Sequence, residues 1–172
     1  VSVLVLGQEE HCSEEMKQQI SIARHLGVSV FWDNLTGETT FTETSFSEYS
    51  IIVDAIFGIG LSRDVTGVIA DYINAINRSA ADVLAVDIPS GISADTGAVL
   101  GTAVKATITV TFGHNKRGLV LYPGTEYAGQ VVVTDIGFPE MVTERVMKQS
   151  QTFTYTKEDI SVYFPNRKKR SN

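Results

Sequence analysis

Cysteine is nearly absent from this sequence, since Cys12 is the single one among 172 residues. One cysteine excludes an internal disulfide bond and a zinc site built from several cysteines, and it fits a reducing compartment. Long apolar runs are also lacking, because charged residues or glycines interrupt them, so the sequence offers no membrane-spanning segment. No basic leader precedes the apolar residues 1–6, which argues against a signal peptide. These absences predict a cytoplasmic protein without a membrane anchor.

Positive charge is scarce and unevenly placed. The formal net charge is −6, and four of the fourteen lysines and arginines form one run, Arg167, Lys168, Lys169 and Arg170. The rest of the chain is therefore more acidic than the total suggests, which argues against general nucleic-acid binding. The basic run is typical of a solvated tail or linker, and a nuclear-localisation signal or phosphate-binding patch is the alternative.

Apolar residues recur in two alternating patterns along the chain. Short runs predict six strands, at 1–6, 28–32, 51–55, 83–86, 107–112 and 130–135. Helical spacing follows the first run, between Ser13 as candidate N-cap and Gly27 as candidate C-terminal residue, and it recurs from about Thr66. Strands joined by helices of this length predict a mainly parallel sheet. We therefore expect an α/β protein with a Rossmann-like three-layer α/β/α fold, in which ligands bind beyond the carboxyl ends of the strands.

Polar residues dominate the connecting segments. Residues 33–50 predict a loop with one short strand, residues 92–105 an ordered loop, and residues 113–129 a loop with one helical turn. Residues 152–155 predict a strand or extended segment, followed by a short helix at 157–164 and a linker at 165–172.

A loop with two glycines follows the third predicted strand. Asp54 lies in that strand, and the loop comprises Gly58, Ile59, Gly60, Leu61, Ser62, Arg63 and Asp64. Glycines let a backbone approach a phosphate closely, amides at a helix start favour anions, and Arg63 can add a charged hydrogen bond. The third glycine of a dinucleotide-binding signature would stand at position 63, which is arginine. A phosphate-binding loop and an ordinary strand-to-helix turn are equal alternatives here.

A carboxylate and a hydroxyl follow the fourth predicted strand in Asp87-Ile-Pro-Ser90-Gly91. The proline-stiffened turn can present Asp87 and Ser90 to one pocket, where an aspartate suits general acid–base work or the binding of a cationic or hydroxylated ligand. The alternative is that both side chains cap the turn. This alternative is favoured because aspartate and serine in turns commonly hydrogen-bond to the nearby backbone.

A third polar loop follows the fifth predicted strand and includes Lys116 and Arg117. These cations can face an anionic ligand, although solvent is their commoner environment. The three histidines, His11, His25 and His114, do not cluster at metal-ligand spacing, which argues against a zinc site or a cysteine–histidine nucleophile. The sequence also contains neither a G-x-S-x-G nucleophile elbow nor a Walker A motif.

Three segments taken together resemble one family. They are VDAIFGIGLSRDVTG, VDIPSGISADTG and TFGHNKRGLVLYPGTEYAGQVVVTDIGFP. In order and spacing they are similar to NAD(P)H-hydrate epimerases, the family of the YjeF N-terminal domain. The similarity extends over most of residues 1–140, and DIPSG followed by D-x-G is its most specific part.

This resemblance implies that the substrate is hydrated NADH or NADPH, whose R and S forms are interconverted. It implies a potassium ion held by Asp54 and Ser90, whose oxygens suit a hard cation. It also implies that residues 58–64 and Asp87 bind the substrate. On this basis Asp87 is the candidate catalytic residue, which exchanges a proton as the C6 hydroxyl leaves and returns and stabilises the cationic ring between these steps.

One motif of the family is absent from the chain. An N-N-G-G-D-G loop, which the resemblance implies for phosphate contacts and a further potassium ligand, would precede the strand at 1–6. We therefore expect residues 1–154 to form an epimerase domain without its first strand and phosphate loop. Residues 155–172 resemble a connector toward an ADP- or ATP-dependent dehydratase domain, as in bifunctional members. Without the missing loop, the chain alone can be inactive.

The alternative function is a catalytically inactive nucleotide-binding or protein-interaction module of the same fold. The absent phosphate loop favours this alternative, whereas the presence of Asp87, Ser90 and the glycine loop favours an enzyme. A homo-oligomer is compatible with both.

Overall fold

The computed structural model describes residues 1–37, 43–149, 152, 155 and 159–160. The chain divides into two compact units, residues 1–136 and residues 137–172. A division into compact units does not show which residues belong to a functional domain. The predicted domain boundary at 154/155 therefore stays a prediction.

Six strands form the framework of the first unit. They are β1 (Ser2–Leu6), β2 (Ser29–Asp33), β3 (Ile51–Asp54), β4 (Asp82–Val86), β5 (Ile108–Phe112) and β6 (Gln130–Thr134). Strands β1 and β2 pair with each other, and the other four form a sheet in the order β3-β4-β5-β6. The four pairings between these strands are parallel. The predicted α/β class with parallel strands is confirmed, and each of the six strands predicted from short apolar runs forms within two residues of its expected limits.

The two long helices of this unit also form where the sequence predicts them. Helix α1 spans Glu14–His25, and the Ser13 hydroxyl accepts a hydrogen bond from the Met16 amide at 3.2 Å, as an N-cap does. Gly27 follows the helix with φ of +79°, a value that favours glycine. Helix α3 spans Gly67–Arg78 with Thr66 at its N-cap position. It buries one face, made of Tyr72, Ile73, Ala75 and Ile76.

Two connecting segments differ from their predictions. A short helix, α2 (Glu43–Phe46), forms in the segment for which the sequence predicts a loop with one short strand, and it places Phe46 edge-on against Tyr72 with ring centroids 6.3 Å apart. The described residues between 34 and 50 contain no strand, and the predicted short strand is otherwise not tested. Residues 38–42 lie outside the described residues. The segment 113–129 contains two short helices, α4 (Arg117–Val120) and α5 (Gly124–Tyr127), where one turn was expected.

A close approach of backbones explains the second of these differences. A Cβ added to Gly118 would lie 2.1 Å from the Ser93 carbonyl oxygen, and one added to Gly124 would lie 2.1 Å from the Gly118 carbonyl oxygen. The glycines therefore let α4 and α5 pack tightly beside the ordered loop at 92–105. Their role depends on this tertiary contact, which local sequence does not reveal.

One face of the four-stranded sheet carries the core of the unit. Ile52 and Val83 are paired in register and pack with the buried face of α3. A second cluster contains Ile88, Ile92, Ala103, Leu119 and Ala128. The opposite face is apolar and more open. On it Val53 lies beside Leu84 and Val132 lies beside Val110. The exposed fraction is 61% for Val53 and 40% for Val132.

The described part of the second unit contains helix α6 (Glu140–Met147), which the sequence did not predict. Residues 159–160 are helical and lie within the helix predicted at 157–164, whose other residues are outside the described ones. The predicted strand at 152–155 is described only at residues 152 and 155, neither of which is in a strand, and the linker at 165–172 with its basic run lies outside the described residues. Among the described residues, no helix is long and apolar enough to cross a membrane.

Candidate functional site

Asp54 and Ser90 meet at the carboxyl edge of the four-stranded sheet. Asp54 ends β3, and Ser90 lies in the turn that follows β4, the neighbouring strand. The Ser90 hydroxyl donates to Asp54 Oδ1 at 2.6 Å, and the Ser90 amide donates to Asp54 Oδ2 at 2.8 Å. Each residue is only 1% exposed. The structure therefore brings together the two residues that the resemblance implies for potassium.

Gly91 explains how the turn after β4 reaches this position. Its φ is +96°, and an added Cβ would lie 2.0 Å from the Thr102 carbonyl oxygen. A larger residue would therefore be strained in its backbone and would collide with the loop at 92–105. The glycine fixes the turn so that Ser90 points back toward Asp54.

The Asp54 carboxylate lies in an unusual electrostatic position. Burial raises its pKa above the ordinary value, and hydrogen bonds from Ser90 and the Ile56 amide only partly offset this effect. No basic side chain pairs with Asp54 among the described residues. A buried carboxylate without a counter-charge is costly unless it is protonated or binds a cation.

These donors fit a potassium ion in type and charge. Asp54 and Ser90 supply hard oxygen ligands, and the Phe57 carbonyl oxygen lies 3.3 Å from the Ser90 hydroxyl. A bound monovalent cation would neutralise the negative charge of Asp54, which burial alone disfavours. No group of three or more histidine, cysteine, aspartate or glutamate side chains gathers at one point in the described parts of the chain.

The glycine loop at 58–64 begins beside this pair. The Phe57 amide donates to the Ser90 hydroxyl at 2.9 Å, which anchors the start of the loop. A cavity of about 300 Å³ is lined by Ile56, Phe57, Gly58, Gly60, Leu61, Ser62 and Arg63. Ile59 and Asp64 do not line it, and Ile59 is exposed. Five of the seven predicted loop residues thus share one cavity.

The two loop glycines are not explained by backbone strain. Neither Gly58 nor Gly60 has a positive φ, and an added Cβ would meet nothing within 4 Å at either position. The space beside them is open, as a backbone that approaches a ligand requires. Helix α3 begins at Gly67, three residues after the loop ends at Asp64 and within one residue of its predicted start. A contribution of the helix start to anion binding stays a prediction.

Asp87 is the second carboxylate at this edge, one residue beyond the end of β4. Its φ of +68° lies in the left-handed region, which non-glycine residues adopt rarely and at a cost. Three groups donate to its Oδ1 atom: the Thr111 hydroxyl at 3.1 Å, the Phe112 amide at 3.0 Å and Lys116 Nζ at 2.5 Å. The neighbouring strand β5 and the loop after it therefore hold Asp87.

These contacts decide the charge of Asp87. Partial burial acts to raise its pKa, but the hydrogen bonds and positive charge of Lys116, with the two uncharged donors, outweigh burial and hold the pKa of Asp87 below its ordinary value. The carboxyl group is accordingly ionised at neutral pH.

Lys116 was not recognised as a partner of Asp87 from the sequence. The lysine was expected to face an anionic ligand or solvent, yet its ammonium donates to Asp87 and to the Phe112 carbonyl oxygen at 2.8 Å. Arg117 is exposed at the start of α4. The only sequence signal for the Lys116 contact was that both loops follow neighbouring strands of a parallel sheet.

The chain is similar in sequence to a known protein family and to named members of it. A family model described as YjeF-related protein N-terminus matches residues 1–118. NAD(P)H-hydrate epimerase of Oenococcus oeni is 46% identical over 140 residues, which are 81% of this chain and 62% of that protein. The Levilactobacillus brevis protein of the same name is 44% identical over 80% of this chain and 60% of its own length. The chain thus spans about three fifths of the length of these curated relatives.

Two further matches are more distant or partial. A bifunctional NAD(P)H-hydrate repair enzyme of Thermofilum pendens is 49% identical over 98 residues, 57% of this chain and 19% of that protein. A crystal structure of yeast ynu0 (YNL200c) superposes with a TM-score of 0.65 at 16% identity, covering 91% of this chain and 63% of the yeast chain. At that identity the structural match supports the fold alone.

Proposed function

The chain belongs to the family of YjeF-related protein N-termini, and from this premise we propose that it acts in the epimerisation of hydrated NADH or NADPH. The observation that carries the proposal is the state of Asp87. A strained, partly buried and ionised carboxylate lies at the strand edge where ligands of parallel α/β sheets bind. Such a group suits a reaction that creates positive charge on its substrate.

The proposed chemistry interconverts the two forms at C6 of the hydrated nicotinamide ring. The C6–O bond breaks as the hydroxyl takes up a proton from solvent and leaves as water, and the ring becomes cationic. Water then adds to the opposite face and gives up a proton, so that atoms and charges balance. The ionised Asp87 stabilises the cation and accepts the proton of the adding water, which then returns to solvent.

The glycine loop and the Asp54–Ser90 pair would bind rather than react. We propose that residues 58–64 contact the substrate through their open backbone, with Arg63 available to a phosphate. Asp54 and Ser90 would hold a potassium ion, which would supply the counter-charge that Asp54 lacks. The loop is tied to Ser90 through the Phe57 amide, so an ordered Asp54–Ser90 pair also orders the start of the loop.

Turnover tests this proposal. Pure (R)-NADPHX is incubated with the chain, and the approach to the mixture of R and S forms is followed by chromatography against a protein-free control. We expect faster interconversion with the wild type and with Asp71→Asn, a control at an exposed carboxylate of α3. Asp87→Asn should lower kcat by about 10³-fold, within the range for a lost acid–base group. A wild type no faster than the control would overturn the proposal.

A protein-interaction module is the second candidate, and the open apolar face of the four-stranded sheet favours it. Parallel sheets normally have both faces covered. A monomer in light scattering that turns over NADPHX would reject this candidate, whereas a stable oligomer without turnover would support it. We propose a fused dehydratase domain by analogy with the bifunctional relative. We also propose a cytoplasmic location, as the sequence predicts.

A further inference from the structure

We propose that Lys116 is the positioning residue of Asp87: it fixes one carboxylate oxygen, Oδ1, and leaves the other, Oδ2, to face the substrate. This inference rests on the proposed function, because it assigns a substrate-facing atom within the same site. It adds a residue from the loop after β5 to a rim that otherwise consists of the loops after β3 and β4.

The distribution of hydrogen bonds over the two oxygens supports this assignment. All three donors, from Thr111, Phe112 and Lys116, reach Oδ1. Within the described residues Oδ2 receives none. The Asp87 side chain is 19% exposed, and Oδ2 is not among the buried side-chain atoms that lack a hydrogen bond in the described residues, so a ligand can approach this oxygen. The carboxylate is therefore held at one atom and open at the other.

Lys116 is itself fixed in place. Its ammonium donates to the Phe112 carbonyl oxygen at 2.8 Å, the last residue of β5, as well as to Asp87. Its side chain is 17% exposed, so it differs from a surface lysine that pairs loosely with a carboxylate and contributes little. These two hydrogen bonds fix the ammonium between the end of β5 and Asp87. Lys116 is therefore not free to turn toward a phosphate group.

Among the described residues, one positively charged group contacts the Asp87 carboxylate. Lys116 is the charged group that contacts Asp87, and the other two donors, Thr111 and the Phe112 amide, are neutral. Removal of the ammonium would leave Oδ1 with two weak, neutral bonds. The carboxyl group would then turn more freely about its side-chain bonds, and its affinity for a proton would rise. Both changes would misplace the oxygen that stabilises the cationic ring.

Kinetics of three variants separate this role from a general structural one. In Lys116→Met we expect kcat to fall about 30-fold, as for a misplaced catalytic group, while KM changes less than about twofold because Lys116 does not touch the substrate. Lys116→Arg should recover part of kcat, since it retains a charged donor. Lys105→Met removes an exposed lysine outside the site and serves as the matched control. A wild-type kcat in Lys116→Met would overturn the inference.

Carboxyl ¹³C NMR gives a readout that does not depend on turnover. With labelled aspartate, the Asp87 signal should titrate at higher pH in Lys116→Met than in the wild type, and at the wild-type pH in Lys105→Met. An unmoved Asp87 titration in Lys116→Met overturns the inference, and Lys116→Gln replaces it if the methionine variant does not fold. A wild type without turnover would overturn the proposed function, while this titration would still decide the role of Lys116.

Discussion

Asp54 and Asp87 lie at the same edge of one sheet, at the ends of neighbouring strands, and yet their surroundings differ in nearly every respect. Asp54 is 1% exposed, accepts hydrogen bonds from uncharged groups, and has a raised pKa. Asp87 is partly exposed, pairs with a lysine, and has a lowered pKa. Paired carboxylates whose environments shift their pKa values in opposite directions are a common arrangement for two distinct roles.

A position at the end of a strand therefore does not by itself decide what a carboxylate does. Both oxygens of Asp54 accept hydrogen bonds from the turn after β4, so Asp54 joins the ends of two strands, and the cation that we propose would bind at the same place. Asp87 has one oxygen held and one open, in a backbone conformation that is unfavourable without compensation. We therefore expect Asp54 to matter most for stability and Asp87 for chemistry.

Removing each carboxylate should give the largest contrast. Asp54→Ala leaves buried donors of Ser90 without a partner, so we expect the free energy of unfolding to fall by about 3 kcal/mol. Asp87→Gly loses three partly buried hydrogen bonds at Oδ1 but relieves the left-handed backbone, so the two effects should cancel to within about 1 kcal/mol. Urea denaturation measures both. Equal losses of stability in the two variants would refute the division of roles.

Potassium should sharpen the same contrast to a smaller extent. At ten times its dissociation constant, a cation bound at Asp54 and Ser90 would raise the free energy of unfolding by about 1.4 kcal/mol. Thermal unfolding in potassium chloride and in choline chloride of equal ionic strength measures this effect. We expect Asp87→Asn to keep the potassium effect and Ser90→Ala to weaken it. An identical potassium effect in Ser90→Ala would place the ion elsewhere.

The pH dependence of stability should have opposite signs at the two sites. Because the folded-state pKa of Asp54 is raised, the wild type should gain stability relative to Asp54→Asn as the pH falls from neutral toward the ordinary carboxyl range. Because that of Asp87 is lowered, the advantage of the wild type over Asp87→Asn is complete above the ordinary pKa and is lost as the pH falls through the lowered one. Urea titrations in potassium-free buffer measure both trends, and trends of one sign would contradict the assignment.

Much of the fold follows from local patterns in the sequence. The alternation of apolar runs and helical spacing predicted six strands and both long helices, because burial of one face imposes that period on each element. The short helix α2 was missed, since its four residues carry no helical repeat and depend on Phe46 packing against Tyr72. Helix α6 has no buried residue, so no apolar face marked it.

The site was predictable only in part. The resemblance implied Asp54 with Ser90, and the structure joins them through two hydrogen bonds. Lys116 could not be paired with Asp87 in advance, because 29 residues separate them and the contact depends on how two loops fold back over adjacent strand ends. The left-handed conformation of Asp87 was equally hidden, since no residue type requires it there.

Exchange of the C6 oxygen with solvent reports directly on the role of Asp87 in the proposed reaction. Water leaves one face of the ring and adds to the other in the proposed reaction, so each epimerisation replaces the C6 oxygen. In H₂¹⁸O we expect the wild type to incorporate ¹⁸O into NADPHX at the rate of epimerisation, above the protein-free background, and Asp87→Asn to match that background. Epimerisation without ¹⁸O incorporation, or equal incorporation by Asp87→Asn and the wild type, would contradict the role assigned to Asp87.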